Sequence, residues 1–399
     1  MCTSPARFRT AAQLFGLVAV ACLGRAGNGS AAPPAPGCGI QPYPRFDRTL
    51  ELEKTAATSA NVSLGDLDGD GSLDIVLAKG RHWPLLSRVL LNDGHGGFPV
   101  ARDLGSTPHR SYSAVLADLD GRGFLDVVVG NDAPDPKVVY LNDGKGNFRP
   151  GSTFGHPQWP TRNVSVADLN GDGLPDIIVA NRYGGHPGSN YVCLNRGGGR
   201  FDADCQPFSH ESATTIAAAD FNGDGLIDLA VPNRDGGQSY VYLNDGKANF
   251  PKRIPFGPGD ARIRVAAAAD LTGSGRMDLV TIDERRGTFI YFNRADGSFS
   301  PALALGTNKA VPYALAVGDL NRDGKVDIVV GYVAAQPVVY FNEGDGHHFT
   351  AVPFGDDQGA AYGIAIGDLD GDGWPDIALA RSDAPNKVYF SSGVPPCRR

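Results

Sequence analysis

The stretch Asp168-Leu-Asn-Gly-Asp-Gly-Leu-Pro-Asp176 decides how this chain reads. Side-chain oxygens at its first, third, fifth and ninth positions (Asp168, Asn170, Asp172, Asp176), with the carbonyl of Leu174 at the seventh, make the donor set of a hard cation that takes about six to eight oxygens. Gly173 at the sixth position permits the sharp turn. Related stretches start at Asp66, Asp118, Asp220, Asp270, Asp319 and Asp368, so successive copies lie 52, 50, 52, 50, 49 and 49 residues apart. Seven copies at a period of about fifty residues mark a propeller or a solenoid.

Within a unit the pattern is all-β. In the third, Asn163-Val-Ser-Val-Ala predicts a first strand, Asp176-Ile-Ile-Val-Ala a second, Asn190-Tyr-Val-Cys-Leu a third, and Phe201 opens a fourth. Hairpin signals such as Leu141-Asn-Asp-Gly-Lys-Gly-Asn-Phe148 join third to fourth, and no stretch sustains a helical period. First strands carry bulky residues on one face (Val164, Val166) and small ones on the other (Ser165, Ala167), as blades packed face to face around an axis require. The reading is a seven-bladed β-propeller of four-stranded blades over residues 46–397. A Phe precedes each loop after the first by nineteen or twenty residues, from Phe98 to Phe349, and Phe46 precedes Asp66 by twenty. Because the last unit stops near Gly393 after its third strand, an N-terminal strand at Phe46–Glu53 is expected to complete the last blade and close the ring.

The formal charge of -8 falls to about -11 without Arg7, Arg9 and Arg25, which lie in an expected signal peptide over residues 1–26. Its apolar run, Ala11 to Leu23, is too short to span a membrane. Ala19-Val-Ala-Cys22 also fits a lipid anchor at Cys22, a reading not favoured because Ala19 stands where Leu is preferred. Residues 27–45 are a Pro/Gly/Ala linker. No Lys/Arg run suggests nucleic acid, and bound divalent ions would cancel most of the acidity. Cys38, Cys193, Cys205 and Cys397 form an even set in an exported chain, so two disulfides are expected, with three connectivities open on count alone. Cys193 and Cys205 flank the turn at Gly197–Gly199, which favours pairing them and leaves Cys38 with Cys397. Asn28, Asn61 and Asn163 begin Asn-x-Ser sequons, short enough to arise by chance.

The Asp-x-Asn/Asp-Gly-Asp-Gly-x-x-Asp loop, followed by Asp-Ile-Val-Val and Leu-Asn-Asp-Gly-x-Gly-x-Phe, resembles the FG-GAP and VCBS-type repeats found in the integrin α-chain head and in exported bacterial proteins. The resemblance implies calcium, about five ions and mainly structural, in the five complete loops. These are Asp66, Asp68, Asp70 and Asp74; Asp168, Asn170, Asp172 and Asp176; Asp220, Asn222, Asp224 and Asp228; Asp319, Asn321, Asp323 and Asp327; and Asp368, Asp370, Asp372 and Asp376. Arg122 interrupts loop 118–126, and Thr272 with Ser274 interrupts loop 270–278, so metal is not expected in either.

Function is expected on the ring face opposite these loops, which collects His82, Trp83, His109, Arg110, His156, Trp159, Arg182, Tyr183, His186, His210 and Glu211. Six positions before each loop stand Ala60, Tyr112, Arg162, Thr214, Arg264, Tyr313 and Tyr362, which should share one height at the channel mouth. Tyr112, Arg162, Arg264, Tyr313 and Tyr362 are the candidate ligand-binding residues, since Tyr offers a sugar a flat face and Arg can hold a carboxylate. Packing as a structural plug is the competing reading. The expected function is a secreted, extracellular or periplasmic binding or adhesion module for a carbohydrate or protein ligand. A carbohydrate-active enzyme such as a polysaccharide lyase is the alternative, favoured less because no compact catalytic motif stands out.

Overall fold

The computed structural model describes residues 43–306 and 310–393. The expected leader at 1–26, most of the linker, Cys22, Cys38 and Cys397 lie outside the described residues. Twenty-eight β-strands and no helix make up what is described. Second strands such as Asp126–Asn131 and Asp176–Asn181 are runs of Val and Ile buried throughout, the composition of a strand covered on both faces.

Five repeats fold as separate four-stranded antiparallel sheets, each built from consecutive strands. The first runs Ser59–Gly65, Asp74–Lys79, Arg88–Leu91 and Val100–Asp103. The expectation of a seven-bladed propeller of four-stranded blades is corrected here: five four-stranded blades form. Outside those five blades, the strands of the last two repeats and the N-terminal strand Arg48–Glu51 form one continuous eight-stranded sheet. The physical cause is local. Asp327–Val333 runs on until Val333 pairs with Ala360 of the next repeat's first strand, and Ala334, with φ 48°, turns its N–H onto the Gly359 carbonyl at 2.8 Å. Repeat spacing counts units; it does not reveal where the hydrogen bonds of one unit continue into the next.

The first and last described strands meet. Arg48–Glu51 pairs antiparallel with Lys387–Phe390, from Arg48 opposite Phe390 to Glu51 opposite Lys387. Tyr43 and Arg45, read as linker, already engage the ring: Tyr43 stacks on Phe341 at 4.5 Å, and the Ser392 N–H donates to the Arg45 carbonyl.

Hydrophobic cores lie between neighbouring sheets. One joins Val115, Val128, Val139 and Phe154 to Val164, Ile177 and Val179, all essentially closed to solvent. The small faces of the inner strands also serve as links: Ser63 Oγ donates to the Ala114 carbonyl at 2.6 Å and Ser165 Oγ to that of Ile216 at 3.1 Å. A Cβ at Gly363 would lie 2.8 Å from the Asn61 Cα, so only glycine admits this approach of inner strands. Asn61 and Asn163 are buried in inner strands, which removes both sequons as glycosylation sites.

A second set of ties runs between loops. The Asn ending each third strand reaches back to the loop of the preceding repeat: Asn142 Nδ2 donates to the Leu67 carbonyl, Asn195 to Leu119, Asn244 to Leu169, Asn293 to Phe221, Asn342 to Leu271, and Asn92 to Leu369. In the last repeat Ser391 holds this place, without an amide to reach Leu320.

Candidate functional site: the metal loops and the channel mouth

Each repeat's loop is organised by carboxylates that accept backbone N–H groups. Asp168 takes Gly171 and Gly173 at 2.8 Å each, and buried Asp176 takes Leu169 at 3.1 Å and Asn195 at 2.9 Å. Carboxylate oxygens of Asp66, Asp68 and Asp70 converge within 4.8 Å, as do those of Asp368, Asp370 and Asp376, and of Asp118, Asp120 and Asp126. Burial, reinforced by neighbouring carboxylates, pushes Asp74, Asp176 and Asp228 up to about 6, Asp376 to about 7 and Asp327 to about 8. Such a set of crowded oxygens fits a divalent cation of the calcium type. In the two interrupted loops arginines stand beside the acids, although the oxygens of Asp118, Asp120 and Asp126 still converge. The Arg122 guanidinium stands among the acids, with Nε 2.5 Å from Asp120 and Nη2 donating to the Asn142 carbonyl at 2.7 Å. In loop 270–278, Arg276 Nε bonds the equivalent Asn293 carbonyl at 2.9 Å.

At the opposite end of the same inner strands, all seven residues placed six before each loop line one cavity of about 1050 Å³, counting its open mouth. Their projection has a cause in the register. The pairing of first with second strand slips at Ala60, Tyr112, Arg162, Arg264, Tyr313 and Tyr362, so each is the extra residue of a β-bulge. A bulge re-aims its side chain out of the sheet's alternation, here onto the axis. Thr214 precedes the short strand Ala217–Ala219 and donates Oγ1 to the Arg264 carbonyl.

Guanidiniums and phenols pack against one another around the mouth. Arg264 lies 3.5 Å from the Tyr313 ring centre, Arg162 4.4 Å from Tyr112, and Tyr313 meets Tyr362 edge to face at 4.7 Å. Arg162 pairs with Asp132 at 2.5 Å, while Glu284 accepts from both Arg264 and Arg234. Burial, then Arg234, pushes Arg264 below its usual value. Burial pushes Tyr362 up to about 12; it raises Tyr313 too, but Arg264, a hydrogen bond with Tyr362 and Arg234 outweigh it and leave Tyr313 below its ordinary value.

The remaining face residues do not gather there. Trp159 stacks on Tyr191 at 3.9 Å, buried Glu211 accepts from Tyr242, Arg182 pairs with Asp235 and Arg110 with Asp135. Only His82 reaches the mouth, with its ring nitrogens 3.2 Å from Tyr112 Oη. Sequence reasoning missed Arg81, Asp132, Arg234 and Glu284. The last three stand fourteen residues after a loop start, so equal-offset reasoning applied to the far end of the second strand finds them. The Cys193–Cys205 disulfide forms across the expected turn, with Cα atoms 4.4 Å apart.

A propeller of repeated Asp-rich loops is the class this fold defines. The FG-GAP-like repeat family matches residues 66–129, 118–179, 168–231, 220–281, 270–330 and 319–379, and the chain belongs to that family. No curated protein matches. Among solved structures, BBS1N in complex with ARL6DN, soaked with lead, is similar at TM-score 0.57 and 13% identity, over 88% of this chain and 99% of that one. The mercury-soaked form of the same complex gives 0.56 and 13%, over 88% and 98%. Among the described residues no helix is long and apolar enough to cross a membrane.

Proposed function

We propose that the protein is an exported binding module that presents its channel mouth to a carbohydrate or protein ligand. The observation that carries this reading is the set of bulged residues turned onto one cavity, three tyrosines and two arginines among them, where a packing role would ask only for apolar side chains. BBS1N, a similar fold, is found with a protein partner, which supports an interaction role. The Cys193–Cys205 bond supports an oxidising compartment. The five complete loops would hold calcium and stiffen the turns that carry the inner strands; the converging oxygens of Asp66, Asp68 and Asp70 and of Asp368, Asp370 and Asp376 support this role in two of them. Arg162→Ala and Tyr313→Phe should keep the wild-type melting temperature and lose ligand on a glycan or protein array. If instead they destabilise the ring and leave binding intact, the mouth is a plug.

One observation keeps a catalytic reading alive. Tyr313, held toward its ionised form beside Arg264, has the character of a base that takes a proton next to a neutralised uronate. Release of unsaturated uronides, followed by absorbance and abolished in Tyr313→Phe, would decide for a lyase.

A further inference from the structure

We propose that Arg81, stacked on Tyr362, forms with Arg162 and the Tyr112 ring between them a subsite for the carboxylate of an acidic saccharide. This rests on the mouth being the ligand site and names the chemistry it selects. Around the mouth four guanidiniums (Arg81, Arg162, Arg234, Arg264) face two carboxylates (Asp132, Glu284). Asp132 is engaged by Arg162, and Glu284 by both Arg234 and Arg264. Arg81 pairs with no carboxylate among the described residues. Its Nη1 rests 3.3 Å from Ser382 Oγ, and its Nε has no partner. Two positive charges are therefore in excess; Arg234 also has an Nε without a partner, but it is tied to Glu284, and Arg81 is the one of the four with no carboxylate among the described residues.

The backbone holds Arg81 there. It has φ 47°, a region that non-glycine residues seldom enter, and follows Gly80 at φ 111°, where a Cβ would lie 2.4 Å from the Trp83 carbonyl oxygen. The Arg81 N–H bonds the Ser111 carbonyl at 3.2 Å and the Gly80 N–H that of Thr58 at 2.9 Å, so the strained pair is fixed by neighbours on both sides. The same left-handed turn recurs fifteen residues after the loop start at Ala334 (φ 48°) and Asp383 (φ 65°), so it belongs to the repeat, and here it carries an arginine. Its guanidinium lies 3.7 Å from the Tyr362 ring centre and 6.0 Å from that of Tyr112, the tyrosines at the equivalent positions on either side of Ala60 in the ring. Beyond Tyr112 stands Arg162.

A planar carboxylate matches the guanidinium fork in a bidentate pair. Tyrosine edges and faces beside it suit the C–H face of a pyranose and its hydroxyls, a combination that an extended acidic peptide uses poorly. The ligand class is thus a saccharide bearing a uronate.

Titration calorimetry of the full protein in calcium, with trigalacturonate, its methyl ester and a triglutamate peptide, tests this. Trigalacturonate should bind at least tenfold more tightly than either of the others. Arg81→Met, with an unchanged melting temperature, should abolish that preference; Arg81→Lys should restore little of it; and Ala60→Val should weaken binding by narrowing the space between Tyr362 and Tyr112. Equal affinity for acid and ester, no binding of trigalacturonate, tighter binding of the peptide, or an Arg81→Met protein that still prefers the acid would overturn the subsite. If the ester binds as well as the acid and Tyr313→Phe abolishes both, the mouth remains the site and only the carboxylate assignment falls. If trigalacturonate binds and no mouth substitution affects it, the site itself is elsewhere.

Discussion

Asp126 and Asp278 sit in the two loops whose oxygen sets are incomplete, yet each is buried and accepts two backbone N–H groups, as Asp74 and Asp176 do in complete loops. The ninth loop position therefore locks the turn to the end of the third strand whatever the metal does. Asp278→Ala should lower stability by about 2–3 kcal/mol, since it strands two buried donors, and by the same amount in calcium and in chelator. Asp172, exposed at the fifth position of its loop, should affect only the calcium-dependent share of stability when changed to Ala. Urea unfolding of both variants under both conditions distinguishes the two roles. Tyr242 gives a pH signature. It donates to both carboxylate oxygens of buried Glu211 at 3.0 Å, and burial, with Glu211's charge and against a hydrogen bond from Arg253, pushes it up to about 12. A folded value above the ordinary one of about 10 means a contribution present in full below pH 10 and lost as pH rises through 12. Melting curves across that window should fall less steeply for Tyr242→Phe than for wild type; parallel curves would sink the assignment. Tyr291, also at about 12, keeps some of the slope in either protein.

Loops and strands were legible to different depths. The oxygen pattern and its spacing located every loop, because turn chemistry is written in consecutive residues. Equal offset from those loops located Tyr112, Arg162, Arg264, Tyr313 and Tyr362, because strand lengths repeat. The bulges that turn these residues inward were not legible, since a bulge is a relation between two strands. Arg81 escaped for a related reason: its aim comes from a left-handed backbone after Gly80 that no alternation pattern announces. Calcium itself is tested at this scale. Excess chelator should lower the melting temperature, with magnesium restoring it poorly because it demands tighter octahedral geometry. Native mass spectrometry should show Asp172→Ala one ion short, Arg122→Ala unchanged, and Arg122→Asp one ion richer, since that change completes the set of Asp118, Asp120 and Asp126 and removes the guanidinium among them. An ion count that does not rise in Arg122→Asp, with the fold intact, would show that more than the side-chain set governs occupancy.

At the scale of the molecule, the repeat arithmetic predicted an all-β ring closed by its own N-terminal strand, and the Arg48–Glu51 pairing lies where the missing fourth strand was expected. It did not predict the merging of the last two repeats, which depends on a single added pair, Val333 with Ala360. That region also lacks the asparagine tie between loops, with Ser391 in its place. Hydrogen exchange should therefore be faster at the Leu320 loop and at Ser391 than at the Leu67 loop and Asn142, where the amide bridges the two repeats. Uniform protection around the ring would show that the ties contribute little.

The register of the closing pair also sets how the ring responds to being pulled. Arg48 faces Phe390 and Glu51 faces Lys387, so the segments before Arg48 and after Phe390 leave the sheet side by side. Tension applied between them acts across the ladder, and the bonds break in succession, beginning with Ser392 to Arg45, instead of resisting together in shear. With thiols reduced, so that the expected Cys38–Cys397 bond carries no load, a protein tethered at both ends would open like a clasp at low force, and an optical trap holding the two termini should record a small first extension well before the blades unravel.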